Sequence, residues 1–339
     1  LWIFGTAKDL LDHYFTSEKS KLYMGMTVIE SGPASIHDPG TAFTIPLMDS
    51  GSVFDGYWGF VKTGIWKITE SLTKINLSLG VKVYLDSSIT EVDTNSKIIS
   101  FVKDSKDEKL NYDHLIFATD PVTPSKLIKG FKQDIELDEI GTSGKVTAFF
   151  RNPIKWKESN EYSDSFRFIF SNDNLNKFEE ASQNALKNSG DYFAGFIQIY
   201  PDGSAQRSMS NKENYDKLIL FTKNLSYDKK GDDLNKIKDE IINTVLPYIE
   251  NADDLVYSKF LTPKDLNKTF FFPKGNIDHI TLTGKQNYNK RTFSKNPNNF
   301  YSYYDLKDVY YCGAGSFPCG SVAGTAGYMC SKQLIRNDH

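Results

Sequence analysis

Arginine is scarce in this sequence. Five of the 40 basic residues are arginine, at positions 151, 167, 207, 291 and 336; taken alone, the bias points to genome composition rather than to function. Cysteine is scarcer. Cys312, Cys319 and Cys330 form neither an even set nor a C-x-x-C pair, which excludes a disulfide framework and a cysteine-rich zinc site and fits a reduced, cytoplasmic setting. There is no excess of positive charge. The 40 basic residues face 43 acidic ones, for a net charge of −3, so phosphate neutralisation has little to work with and no nucleic-acid partner is expected. No stretch approaches the roughly 18 consecutive apolar residues of a membrane span. The chain starts Leu1-Trp2-Ile3 without an initiator methionine, and Lys8, Asp9 and Asp12 interrupt any secretory apolar segment. We expect the natural polypeptide to begin upstream of Leu1.

Apolar material is ample. The 39% hydrophobic and 14% aromatic content is too high for disorder. A length of 339 residues implies about two domains, and a compact chain of 38.5 kDa should expose about 14,000 Å².

Residues 1–20 read as one amphipathic helix, with Leu1, Ile3, Phe4, Leu10, Leu11, Tyr14 and Phe15 on one side. Residues 31–60 are rich in turn formers yet carry Phe54, Tyr57, Trp58 and Phe60, so they line either a core edge or a pocket. Residues 65–80 predict a helix through Ile65, Ile68, Leu72 and Ile75, stopped by Gly80. Strands are expected at 81–85, 89–93, 98–102 and 113–118, the last continuously apolar, as in a strand covered on both faces. Residues 146–150, 166–170, 193–200 and 218–222 read as an antiparallel sheet, with helices over 172–189 and 233–248. The C-terminal residues form strand 308–312, a glycine-rich turn 313–320, and a helix from Ser321 to Ile335. The fold class is therefore mixed α/β.

Strand, glycine turn and helix together present free backbone N–H groups to an anion or polar ligand. Gly313-x-Gly315 opens like the dinucleotide fingerprint, but Gly320 comes too late, and too few residues follow for the second strand and its acidic ribose partner. These must be closing elements of a sheet. The alternative is that the small residues only permit tight packing of helix on strand.

Five segments occur in order: Gly32-Pro33, Pro39-Gly40-Thr41-Ala42, Trp58-Gly59-Phe60-Val61, Gly275-Asn276-Ile277-Asp278-His279 and Tyr311-Cys312-Gly313-Ala314-Gly315. With them the chain resembles the FAD-dependent oxidoreductases of the phytoene-desaturase type, in particular their pyridine nucleotide-disulphide oxidoreductase domain-containing protein 2 branch. The resemblance implies the C-terminal part of a glutathione-reductase-like FAD-binding fold with an inserted substrate domain on a mixed, largely antiparallel sheet. It divides the chain into a helical and substrate-domain part (1–74), part of the FAD domain (75–125), the substrate domain (126–299) and the last strand and helix of the FAD domain (300–339). It implies that Ile89 lies on the strand that meets the adenine, and Ala118 and Thr119 near the nucleotide half. It places Gly313, Ala314 and Gly315 at the ribityl and pyrophosphate, and Gly320, Ser321, Val322, Ala323 and Gly324 beside the flavin ring. His279 is the acid/base candidate, an ordinary strand histidine being the alternative. The N-terminal G-x-G-x-x-G of such proteins is absent from these 339 residues. Trp66 stands where the family has a glycine-rich stretch, and Cys319 and Ser321 replace glycines.

Two readings follow. One is an FAD-dependent oxidoreductase, a dehydrogenase, desaturase or isomerase, acting on an apolar small molecule and passing a hydride to the flavin. The other is a non-catalytic binding or assembly module, or half of a split flavoenzyme whose partner chain supplies the N-terminal motif. Peripheral membrane contact fits a lipophilic substrate. Tyr301, Tyr303 and Tyr304 with Phe300 either cover the flavin or form a surface cluster. Cys319 is expected to be an inert buried thiol.

Overall fold

The computed structural model describes residues 1–30, 34–49, 59–159, 161–172, 174–210, 215–229, 231–320 and 324–337, with no side-chain description at 30, 48, 49, 210 and 232. Gly32-Pro33, Phe54, Tyr57, Trp58 and Ser321 to Ala323 lie outside the described residues.

Two helices, Ala7–Tyr14 (α1) and Glu18–Glu30 (α2), stand where one was expected. The Thr6 side chain caps α1 by accepting the Asp9 amide. Leu10 and Leu11 are buried, but Leu1, Ile3 and Phe4, counted in the same stripe, are exposed ahead of the helix. The Pro39-Gly40-Thr41-Ala42 stretch leads into Thr44–Asp49 (α3). Gly40 is left-handed (φ +88°), and a Cβ there would stand 3.1 Å from the Cα of Gly284. Glycine is thus required by two segments in backbone contact.

Helix Trp66–Ser78 (α4) forms as the periodicity predicts and ends at Gly80 with φ +82°, yet none of its residues is buried. Residues 81–85 are extended without joining a strand. Ser87–Asp93 (β1), Ile98–Lys103 (β2) and Lys106–Asn111 (β3) make an antiparallel sheet in that order. β3 reads Lys-Asp-Glu-Lys-Leu-Asn, exposed throughout, and periodicity gives no sign of it. It follows from the turn: Asp104 and Ser105 both take positive φ (49° and 60°), a two-residue hairpin loop whose twist suits the strands. Leu115–Phe117 (β4) and Thr123–Leu127 (α5) complete this part.

The middle of the chain builds a five-stranded antiparallel sheet. Its strands are Gly144–Phe150 (β5), Arg167–Phe170 (β6), Phe196–Tyr200 (β7), Asp216–Thr222 (β8) and Leu255–Leu261 (β9), in the order β6-β7-β8-β5-β9. The four expected strands are there, and β9 adds a fifth. Helices Leu175–Leu186 (α6), Asp202–Ser210 (α7), Asp232–Val245 (α8) and Pro263–Phe270 (α9) are interleaved. Along β5, Val146, Ala148 and Phe150 face a core shared with Leu218 and Leu220 of β8 and with Ile237, Ile241 and Val245 of α8. The period of two in the strands meets the helical stripe. On the other face Phe196 packs with Phe178 of α6 and with α1 and α2.

Val309–Tyr311 (β10) returns to pair in parallel with β4, Tyr310 opposite Ile116. Thr325–Asn337 (α10) follows, opening four residues later than expected. Val92, Leu115, Phe117, Val309, Tyr303 and Tyr311 share one core. Tyr301 and Tyr303 are buried, against the surface-cluster alternative: Tyr303 packs on Phe131, Phe293 and Tyr311 and donates to the Pro121 carbonyl at 2.9 Å. One expectation fails. β4 is not covered on both faces, since Ile116 is 44% exposed. The accessible surface is 18,911 Å², about a third above the roughly 14,000 Å² of a compact chain of this mass. Among the described residues no helix is long and apolar enough to cross a membrane.

Candidate functional site

The two most informative motifs, separated by some thirty residues, meet through one buried arginine. Arg291 is fully buried. Its Nη2 donates to the carbonyls of Asp278 (2.9 Å), Ile280 (3.2 Å) and Ala314 (2.9 Å), and its Nη1 to that of Gln286 (3.2 Å). Its own carbonyl accepts the Phe317 amide at 3.0 Å. A single guanidinium thus ties the Gly275–His279 stretch to the glycine turn, a task the planar fork performs and a lysine does not. Burial lowers its pKa and the charge of Asp278 raises it again, but arginine stays protonated. Sequence reading missed this residue. The available signal was its rarity in a chain whose positive charge is otherwise lysine.

The Gly275-Asn276-Ile277-Asp278-His279 turn is forced by close packing. Gly275 has φ +74°, and a Cβ there would overlap the Pro263 carbonyl. Buried Asn276 accepts the Asp278 amide at 2.9 Å and donates to the Thr281 hydroxyl at 3.1 Å. His279, itself at φ +66°, lies near enough to the Thr119 backbone and Asp120 for both to act on its ring. Among the described residues its buried Nδ1 has no partner, nor have Asp278 Oδ2 and Arg291 Nε. Burial is the main influence on the imidazole and pulls its pKa below 6.5, against the opposing pull of Asp120 and Asp278. At neutral pH His279 is uncharged and holds an unused acceptor nitrogen.

Thr119 lies just past the C-terminal end of β4. It and Ala118 are exposed, as expected of strand ends that meet a ligand in a parallel sheet. Asp120 ties the following loop to α5 by accepting the amides of Val122 and Thr123, each at 2.9 Å. Beside it runs the turn after β10. Here the glycines divide into two kinds. A Cβ on Gly313 would overlap the Thr119 carbonyl, and one on Gly315 would stand 2.8 Å from the Tyr311 hydroxyl. That hydroxyl accepts the Gly315 amide at 3.2 Å, and burial holds its pKa far above the usual phenol value. On the side where a Cβ would stand, these two glycines make room for protein neighbours. Gly320 is intermediate, its Cβ position 3.3 Å from that of Ala314. Gly324 (φ +68°) and Gly327, at the opening of α10, face open space.

His279, Thr119, Gly313 and Ala314 are thus brought together, with Ala118 and Gly315 adjoining them in the chain. Ile89 is not among them: it lies half-exposed on β1, opposite Phe101, at a register break before Glu91. Cys319 is buried. Trp66 is exposed, its indole donating to the Thr63 carbonyl at 2.9 Å.

No family model matches the chain. Among curated proteins it is similar to the pyridine nucleotide-disulfide oxidoreductase domain-containing protein 2 of Rattus norvegicus, with 23% identity over 359 residues, 97% of this chain and 60% of the relative. It is also similar to the 4,4'-diapophytoene desaturase (4,4'-diaponeurosporene-forming) of Staphylococcus aureus strain Newman, with 23% identity over 335 residues, 93% of this chain and 62% of the relative. The chain spans about three fifths of the length of these relatives. Among solved structures, the cyclohexylamine oxidase of Brevibacterium oxydans aligns at a TM-score of 0.51 with 9% identity, over 99% of this chain and 68% of that one. That is a likeness of fold. The resemblance read from the five motifs is borne out by relatives of the names it points to.

Proposed function

We propose that this chain is the substrate-binding and flavin-contacting portion of an FAD-dependent oxidoreductase of desaturase or isomerase type, acting on an apolar small molecule. The observation that carries the reading is the Arg291 junction, which sets the glycine turn after β10 and the His279 loop against Thr119 at the C-terminal ends of a parallel strand pair. The residues fit the cofactor. Exposed Ala118 and Thr119, the open positions at Gly324 and Gly327, and the unpartnered Nδ1 of His279 offer polar contacts along a path from the strand ends to the first turn of α10. When bound, FAD would supply the two-electron acceptor. The work of the chain is placement: Arg291 holds the turn, Thr119 and Ala118 offer backbone, and neutral His279 holds an acceptor that takes up a proton or orients a polar group. The proposed cofactor set is therefore Ala118, Thr119, Ala314, Gly320 and Gly324, with Gly313 and Gly315 shaping the turn from behind.

The uncovered faces of α4 and β4 are where a further βα unit carrying a dinucleotide fingerprint would sit, from the same polypeptide or from a partner chain. The test is the visible spectrum of the protein purified in whatever assembly it occupies, before and after added FAD. Flavin bands retained through gel filtration are expected, lost or weakened in a Gly324→Trp variant. A colourless protein that takes up no FAD would overturn the proposal in favour of a binding module.

A further inference from the structure

A cavity borders the glycine turn, with Phe317 of that turn in its wall. It encloses about 470 Å³ between α10 and the 288–301 segment, a size suited to a small organic ligand. Its walls are aromatic. Phe317 stands between Tyr288 and Phe300, edge-on to both, with ring centres 5.9 and 6.1 Å away, so flat faces remain for a planar guest. Met329 closes one side with an adaptable thioether. The floor is rigid: buried Gln333 accepts the Tyr301 amide at 3.1 Å and donates to Asn299 at 2.6 Å.

The rim carries charge of one sign. Lys332 and Arg336, one turn apart on α10, line the opening, and no acidic residue does. Arg336 donates to the Asn298 carbonyl at 3.0 Å, and Lys332 lies 5.5 Å from the centre of the Tyr328 ring. Neither is in an ion pair with a described residue. Two cations with no carboxylate beside them among the described residues, set over aromatic walls, match a ring bearing an anion.

We propose that this cavity is a second binding site, for a planar aromatic molecule carrying a carboxylate or a phosphate, with Lys332 and Arg336 holding the anion and Phe300 and Phe317 the ring. The site goes beyond the flavin reading and does not depend on it. Fluorescence titration of the protein with 1-naphthoate, adenosine monophosphate and neutral 1-naphthalenemethanol tests it. At least one anion should bind saturably, the neutral alcohol about tenfold more weakly or less. K332E/R336E should weaken the anion by about tenfold or more while leaving the melting temperature in place, since both side chains are exposed. Naphthoate binding alone assigns a carboxylate and nucleotide binding alone a phosphate, and either supports the site. Failure of both anions to bind, equal binding of the alcohol, or anion binding indifferent to K332E/R336E overturns it.

Discussion

Leu220 and Leu72 are both leucines at regular apolar spacing, one in β8 and one in α4. Leu220 is 1% exposed and Leu72 56%. The difference lies in where each finds its cover. β8 belongs to a unit whose strands and covering helix come from one stretch of chain, 144–261. The helical stripe of α8 meets the inner face of the sheet there, and an antiparallel sheet tolerates one wetter face. α4 opens the stretch 66–118, and none of its residues joins a described core. In that region Ile116 of β4, Leu72 and Ile75 of α4, and Val81, Val83 and Leu85 beyond it are all exposed. A parallel pair of strands wants cover on both faces, and two strands are too few to stand alone. The described residues supply one layer of a construction that needs another.

Phe150→Ala should strike hardest, because it opens a cavity in the closed unit: a loss of about 3–5 kcal/mol in denaturant unfolding is expected. A loss below about 1 kcal/mol would mean that the five-stranded sheet is not the cooperative core. Next come the two kinds of glycine. Gly313→Ala drives a methyl group into the Thr119 carbonyl and should cost about 1–3 kcal/mol, whereas Gly324→Ala meets only backbone strain, about 1 kcal/mol. Equal shifts in melting temperature would erase the distinction between packed and open glycines. A third effect is read along the pH axis. The pKa of His279 is depressed by burial in the folded chain and ordinary in the unfolded one, so above 6.5 its protonation costs nothing. As pH falls below 6.5 the unfolded chain takes up the proton first and stability declines. His279→Gln should remove that acid-side slope in thermal melts between pH 7 and 5, and an unchanged slope would place the titration elsewhere. The smallest effect is Leu72→Ser, within about 0.5 kcal/mol in this chain. A large loss would show that the α4 face is already covered.

How far the sequence could be read follows the same division. The helix at 65–80, the antiparallel strands between 146 and 222 and the terminal strand with its glycine turn were legible, because each is encoded by local spacing. Burial was not: the stripe of α4 is correctly periodic, but periodicity says which residues share a side and not what they face. β3 was hidden because its order comes from the Asp104-Ser105 turn and pairing with β2 rather than from apolar alternation. At the site, His279 and the strand-end residues Ala118 and Thr119 were proposed through motif resemblance. Their junction was not, since it rests on Arg291 donating to four backbone carbonyls, which leave no mark on residue identity. The packing of Gly313 and Gly315 was not legible, because a glycine that makes room for a cofactor and one that makes room for Thr119 or Tyr311 are the same letter.

The pairing of β4 with β10 also bears on the order of events when the chain is made. Leu115 and Val309 are register partners, roughly 190 residues apart. Closing so long a loop is entropically costly and slow. During synthesis β4 emerges before the five-stranded unit and must wait for β10 while that whole unit is translated. β10 emerges after that unit, and only then can the strand ends, the glycine turn and the Arg291 clamp come together. The candidate site is therefore a late assembly step, and the waiting edge of β4 is the place where a nascent chain of this protein is most exposed to misassociation.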